Sequence, residues 1–367
     1  MKRPAAFCRF LFLAAMFLVL IAPWNHASAK PYFQGKTITI LLGVGPGSGG
    51  TTLARLYAKH LAKTIPGNPN VIVKNMPGAG FMKAHFYIMN SAPKDGTVIY
   101  YGPWKPLAVL LKLPGHDISY KDYTILGGIT LGGLVTYARK DSLPGDGAHN
   151  ALDLLKAKGL KYGSSGGPAH VRFLIGSLTL EMLGADWKAI TSYKSNGESR
   201  AAVIKGEVQM SMEPLHGFNN RTKPQLIDSG MGFAAYHIPL PNKDGTLSSN
   251  PLTPDIPSFL DIYKKAKGDM PSGLSWEAFR WLLNVEQNMV HLFFGPPGMN
   301  KEATAVLRKA LVPTLTSEAF KNEAKKILTF APVPGDKDEA LNAVERTSTM
   351  PPEVLKYLKA YIARHSS

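Results

Sequence analysis

Cysteine is almost missing from this chain: Cys8 is the only one in 367 residues. It lies inside an N-terminal stretch that reads as a cleaved leader, so the remaining chain has neither disulfide nor thiolate chemistry. Zinc sites are equally poorly served, because the ten histidines form no HxxxH or HExxH pair. Long apolar runs are scarce too. The single one, residues 10–22, is too short to span a bilayer comfortably. Acidic residues number 26 against 42 Lys and Arg, a formal balance of +16. The basic residues are scattered, with only pairs such as Lys264-Lys265 and Lys325-Lys326, which argues against a nucleic-acid partner. A solvated basic surface, or an attraction for small anions, fits better.

What is present begins with that leader. Lys2, Arg3 and Arg9 precede the apolar run, and Ala27-Ser28-Ala29 supplies a small-x-small cleavage pattern. The expected mature chain begins at Lys30, carries a formal +13, and works in the periplasm. Export removes ATP, NAD and most intracellular chemistry from the expected ligands. Cys8 is far from the cleavage site, which argues against a lipid anchor. More than 300 residues remain, enough for two domains with ample cores.

Along the mature chain, strands and helices alternate. Residues 37–42 form a β-branched apolar run ending in glycines, and Leu53, Leu56, Tyr57, His60 and Leu61 fall on one helical face. Short strands follow at 71–73 and 98–101, with a helix to about residue 90 between them. The series resumes with a strand at 133–139, a helix at 151–158 and a strand at 160–162. A helix at 170–183, a strand at 190–193, a helix at 198–205 and a strand at 207–212 come next. Residues 232–238 return the chain to its first half, 239–257 form an exposed loop, and the remainder is mostly helical. This order predicts an α/β fold of two lobes with parallel sheets and a hinge between them. The first lobe is 30–133 with 238–367, and the second is 134–237.

Two strand–turn–helix junctions are rich in glycine: Gly43-Val44-Gly45-Pro46-Gly47-Ser48-Gly49-Gly50-Thr51-Thr52 and Gly163-Ser164-Ser165-Gly166-Gly167-Pro168-Ala169-His170. Glycine lets backbone approach a ligand closely, and the first helical turn presents unpaired N–H donors at the positive end of its dipole. Each cradle suits a carboxylate, phosphate or sulfate. The plainer alternative is two tight turns whose glycines only satisfy geometry. Two enzyme motifs also match. Gly45-x-Gly47-x-x-Gly50 fits the dinucleotide fingerprint, but Lys74 and Asn75 stand where an acidic ribose ligand belongs. Gly163-x-Ser165-x-Gly167 fits a nucleophile elbow, which makes an exported serine hydrolase using Ser165 the rival function. Asp186 or Asp228 with His237 or His291 would complete its triad.

The ordered motifs resemble a known family, the TctC-type or Bug-type receptors of tripartite tricarboxylate transporters. The resemblance rests on Leu53-Ala54-Arg55-Leu56 after the first loop, Asn75-x-Pro77-Gly78-Ala79-Gly80, and Ala92-Pro93-x-Asp95-Gly96-Thr97. It continues through Ser164 to His170, Tyr193-Lys194-x-x-Gly197, Gly206-Glu207-Val208, Pro254-Asp255-Ile256-Pro257-Ser258 and Phe293-Phe294-Gly295-Pro296-Pro297-Gly298. It implies a type II-like periplasmic-binding fold of the Venus-flytrap kind, closing on a small carboxylate held by glycine-loop amides, hydroxyls and water. It also implies a large and a small integral membrane subunit as partners, a monomeric receptor, no cofactor and no catalysis. Two departures stand out. Thr51 or Thr52 replaces an aspartate common in relatives, and Phe81 replaces a glycine after Gly80.

The expected ligand-binding residues are Ser48, Gly49, Gly50 and Thr51 in the first loop, with Ala79, Gly80 and Phe81 in the next. Ser164, Ser165, Gly166 and His170 come from the second lobe. Tyr193 is expected to reach the cleft with its hydroxyl, and Trp104 to lie just after a strand end. His170 either donates to a carboxylate or caps its helix. Arg55 and Arg172 are expected on the surface, Trp276 and Trp281 in the core, and no metal site anywhere.

Overall fold

The computed structural model describes residues 30–366 except Lys243; the expected leader, its expected cleavage site and Cys8 lie outside them. The chain opens with strand β1 (Thr37–Leu42), helix α1 (Gly49–Thr64), strand β2 (Asn70–Asn75), helix α2 (Met82–Asn90) and strands β3 (Val98–Pro103) and β4 (Thr124–Thr130). It continues through β5 (Leu134–Arg139), β6 (Leu160–Ser165), α3 (Val171–Leu183), β7 (Trp187–Tyr193), α4 (Asn196–Lys205), β8 (Met210–Pro214) and β9 (Gly232–His237). After a two-strand ladder of β10 (Leu240–Pro241) and β11 (Leu247–Ser248) come α5 (Phe259–Lys267), α6 (Gly273–Leu283) and β12 (His291–Gly295). Helices α7 (Lys301–Thr316) and α8 (Glu318–Leu328), strand β13 (Val333–Gly335), and helices α9 (Lys337–Ser348) and α10 (Pro352–Arg364) close the chain.

Two large sheets result, and the fold is the two-lobed α/β arrangement the sequence predicted. The first has the order β13-β4-β12-β3-β1-β2 and the second β7-β6-β8-β5-β9. Neither is purely parallel. In the first, β12 runs antiparallel to β3 and β4; in the second, β5 runs antiparallel to β8 and β9. Between the sheets the chain turns on Gly132 and Gly133, both at positive φ (71° and 85°). A side chain at Gly133 would meet the Asn250 amide at 2.8 Å, so only glycine fits there.

Several expectations fail for identifiable reasons. Residues 232–238 do not return the chain to the first sheet, because Gly232–His237 pairs with β5 at the edge of the second. The return is made later, between α6 and β12. The predicted helix at 151–158 shrinks to a 3₁₀ turn, Asp153–Lys156. Asn150 Oδ1 accepts from the backbone N–H of Leu152 and Asp153, and Asp153 Oδ2 from that of His149, so side chains compete with the helical ladder. Strands β4 and β12 went unread within apolar stretches, and glycines Gly127 and Gly128 mark where β4 packs tightly: an added Cβ would meet Leu311 at 2.5 Å or Met289 at 2.7 Å.

The cores explain the helix placements. On α1 the buried positions Leu53, Ala54, Leu56, Tyr57, Ala58 and Leu61 make one stripe against the first sheet. Helix α3 is apolar nearly all round, and its Phe173, Leu174, Ile175 and Leu178 are fully buried. Such a helix needs cover on every side, and it has it. The second sheet lies on one face, while α5, α6 and α10 contribute Phe259, Phe279, Leu282 and Leu358 to the same cluster. Those three helices therefore pack with the second sheet, although their segments were expected with the first lobe. Trp281 is buried as expected, its Nε1 donating to Thr349 O at 2.8 Å, and Trp276 packs against the cluster.

One buried group ties stability to pH. His85, fully buried on α2, packs edge-on against Tyr100 and bonds Tyr120 through Nδ1. Burial holds it down at about 3, against about 6.5 when unfolded. Between these values the unfolded chain binds a proton that the native chain refuses. Its contribution is thus complete above about pH 6.5 and is lost as pH falls toward 3, with a slope of about 1.4 kcal/mol per unit. In urea titrations at pH 7 and pH 4.5, His85→Gln is expected to flatten the decline by roughly one proton's worth; an unchanged slope would count against a neutral buried imidazole.

Candidate functional site

The first glycine loop is braced by side chains as well as by its own backbone, where Ser48 N donates to Gly45 O at 3.4 Å. Ser48 caps α1, its Oγ accepting from Thr51 N at 3.2 Å. Thr51 is fully buried beneath, donating to Gly45 O at 3.1 Å, and Asn75 at the end of β2 donates through Nδ2 to Thr51 Oγ1 (2.8 Å) and Val44 O (2.9 Å). Thr51 is therefore a brace under the loop and does not line the cleft. Asn75 fills the place where a dinucleotide fold would put its ribose carboxylate, and it points back into the loop.

The second loop is braced in the same manner. Ser165 Oγ donates to Asn196 Oδ1 at 3.0 Å, and Gly166 N donates to Tyr193 O at 3.3 Å. Gly166 sits at φ 87°, and a Cβ there would come within 2.6 Å of the His170 ring. His170 does cap α3, its Nδ1 accepting from Arg172 N at 3.3 Å. This bond leaves the proton on Nε2. Burial, with Arg172 and Lys105 nearby, holds His170 down at about 3.

Both loops line a single cavity of about 740 Å³, to which each sheet contributes. Ser48, Gly49 and Gly50 face it from one side, and Ser165, Ser195 and Asn196 from the other. A second space of about 340 Å³ adjoins it, lined by Gly80, Trp104, Lys105, Gly166 and His170. Phe81, Pro103, Arg172, Glu286, Val290 and His291 border both.

The other expected residues fall elsewhere. Ala79 is exposed in the turn before α2 and lines neither space, and Ser164 is buried with its Oγ directed at Ser165 O (3.5 Å). Tyr193 is half-buried, its side chain outside both cavities and packed over Gly163. Trp104 borders the second space but is a core residue, 4% exposed, with Nε1 donating to Met289 O at 2.7 Å. Phe81 lies at the junction in a left-handed conformation (φ 84°), next to Gly80 (58°) and Ala79 (46°). A bulky residue there is strained by about 1–3 kcal/mol.

The charged lining was not legible. Arg55 is exposed as expected, but Arg172 borders both cavities, its Nε 2.5 Å from Glu286 Oε1. Lys194 lines the larger space and Lys105 the smaller, with the Lys105 ammonium 4.8 Å from the Phe81 ring centroid. His291 bonds the Tyr101 hydroxyl at 2.9 Å, and burial holds it at about 3; His216 is held at about 4. These imidazoles are neutral at pH 7. The cleft therefore carries three cations against Glu286. Helical spacing could have flagged Arg172, two positions past the His170 cap. Glu286 carried no signal, and His291 was named only for the rival triad, since only the return of the chain after α6 brings them here.

Ser165 lacks the surroundings of a nucleophile. Its hydroxyl engages an amide, and His237 uses Nδ1 toward Ile256 O (2.9 Å) and Nε2 to accept from Asn250 N (3.0 Å). Among the described residues, no cluster of His, Cys, Asp and Glu is arranged to hold a metal ion.

The brace beneath the first loop is testable by Thr51→Val, which keeps shape and deletes the hydroxyl. Leaving buried partners unsatisfied is expected to cost about 1–3 kcal/mol in chemical denaturation. A loss below about 0.5 kcal/mol would mean that the loop holds its form without this network.

No family model matches the chain. It is 27% identical over 222 residues to a UPF0065 protein in the TAR-I ttuE-ttuC' intergenic region of Agrobacterium vitis; the match covers 59% of this chain. It spans only 61% of that relative's length. Among solved structures, a TctC solute-binding protein from Polaromonas superposes with a TM-score of 0.61 at 14% identity, over 90% of this chain and 98% of its own. An R. palustris protein with adipate gives 0.61 at 19% identity, over 89% and 97%. At such identities the likeness is one of architecture. The chain has the two-lobed fold of the TctC-type solute-binding proteins.

Proposed function

We propose that this protein is an extracytoplasmic receptor of the TctC or Bug type, which captures a small organic anion between its lobes. The single observation that carries the reading is that Ser48 and Ser165, each in a braced glycine loop, line one cavity between the two sheets. Each loop feeds a helix whose first N–H groups favour negative charge by about 0.3–1 kcal/mol when exposed, more when partly buried. The guanidinium of Arg172 and the ammonium of Lys194 add fixed positive charge. A carboxylate fits these donors. Phe81 at the junction adds a preference for an apolar or aromatic portion over a compact, highly charged acid.

In this reading the protein works as a monomer in the periplasm and hands its ligand to a large and a small membrane subunit of a tripartite secondary transporter. One lobe comprises the first sheet, and the other the second sheet with α5, α6 and α10. Ligand that prefers the closed arrangement shifts the lobes toward it. No turnover is part of this function, and no helix among the described residues is long and apolar enough to cross a membrane.

The test is a thermal-shift and calorimetric screen of the mature chain against mono-, di- and aromatic carboxylates. A true ligand at 100 times its Kd is expected to stabilise by about 2.7 kcal/mol. Ser165→Ala is expected to weaken binding by roughly 2- to 12-fold, the worth of a neutral hydrogen bond. Phe81→Gly relieves the strained backbone and is expected to reduce the preference for aromatic acids. Absence of stabilisation by every carboxylate, or hydrolysis of acyl esters that Ser165→Ala abolishes, would overturn the reading.

A further inference from the structure

Arg172 is the charge centre of the cleft. It borders both cavities, and its positive field helps to depress the basicity of His170, His216, His291 and Lys105. Yet its own side chain is only partly engaged. Among the described residues it makes one hydrogen bond, from Nε to Glu286 Oε1, while its Nη amines donate to none of them. The Arg172 side chain remains 23% exposed, and that of Glu286 only 10%.

The partner is as informative as the gap. Glu286 sits in a π-helical turn, Asn284–Asn288, where the chain leaves α6, packed with the second sheet, and enters β12 of the first. π-turns of this kind recur at functional sites. A carboxylate on Nε fixes the plane of the fork and leaves the two-nitrogen edge free. That edge matches a second carboxylate in bidentate geometry.

We infer that Arg172 is the charge-selecting residue of the cleft, its Nη edge receiving a second anionic group of the ligand at the junction of the two cavities, with Glu286 as the built-in counter-ion that orients it. The inference rests on the receptor reading above and deepens it. One carboxylate lies on the glycine loops, an apolar spacer passes Phe81 and Val290, and the far anionic group meets Arg172. Because Glu286 offsets one unit of charge, the site accepts a dianion but disfavours a third negative group. A single-ended acid leaves Arg172 no better satisfied than in the free protein.

The experiment compares matched acids that differ only in the second carboxylate: adipate with hexanoate, and terephthalate with benzoate. Calorimetry on the mature wild-type chain is expected to give tighter binding of the diacid in at least one pair. Arg172→Gln is expected to lower that diacid-to-monoacid preference by about tenfold or more, weakening the diacid more than the monoacid. Arg172→Lys, which keeps the charge but loses the fork, is expected to fall between them, and serves if the Gln variant does not fold. Glu286→Gln is expected to raise the preference for the diacid. Equal preference in wild type and Arg172→Gln, or in wild type and Arg172→Lys if only that variant folds, would overturn the inference alone. Failure of the wild type to bind any of the four acids would overturn the inference, and the receptor reading falls with it only where the full carboxylate screen also gives no stabilisation.

Discussion

Everything in the cleft depends on fixing where two glycine turns point at the starts of two helices. An open donor in a loose loop would find a local acceptor or water, and its orientation would be lost. Here each glycine loop is braced by side chains. Asn75 and Thr51 hold the first against Val44 and Gly45, and Asn196 holds Ser165 in the second. The glycines permit the approach; the side chains behind them make it rigid. The braces lie on the next strand or helix in each case, so the loop cannot relax without disturbing its sheet.

The electrostatics follow from burial. Water is partly excluded from the cleft, so the imidazoles of His170, His216 and His291 stay neutral, while Arg172 is paired with Glu286. A neutral ring can still donate a directed hydrogen bond without adding to the repulsion among cations. The positive charge is thus concentrated on a few side chains near the junction of the two spaces. The aromatic group beneath supports this placement: Tyr57 and Tyr101 meet edge-to-face at 4.8 Å, and Tyr101 holds His291 through its hydroxyl.

Much of the fold was legible because it is written in local patterns. The β-branched run before Gly43, the stripe from Leu53 to Leu61, and the glycine turns need only periodicity and backbone chemistry to interpret. The errors share a cause. The 151–158 segment has helical apolar spacing, but Asn150 and Asp153 take its backbone donors. Residues 232–238 look like any strand, and nothing local says which sheet they join. Thr51 was placed on the cleft by its position in the loop, whereas the helix turns its side chain down onto Asn75. Tyr193 and Trp104 are at strand ends, yet packing turned them inward.

The residues of this chain by themselves determined the α/β alternation and the two glycine-rich turns, since each follows from periodicity or short-range geometry. Tertiary structure alone decided that Ser48 and Ser165 share one cavity, that α5, α6 and α10 enclose α3, and that Glu286 meets Arg172 across 114 positions of sequence. The physical reason is that a contact between distant segments depends on how the sheets are ordered and where the chain crosses between them. Those choices are made by burying apolar surface over the whole molecule, and no short window of sequence records them.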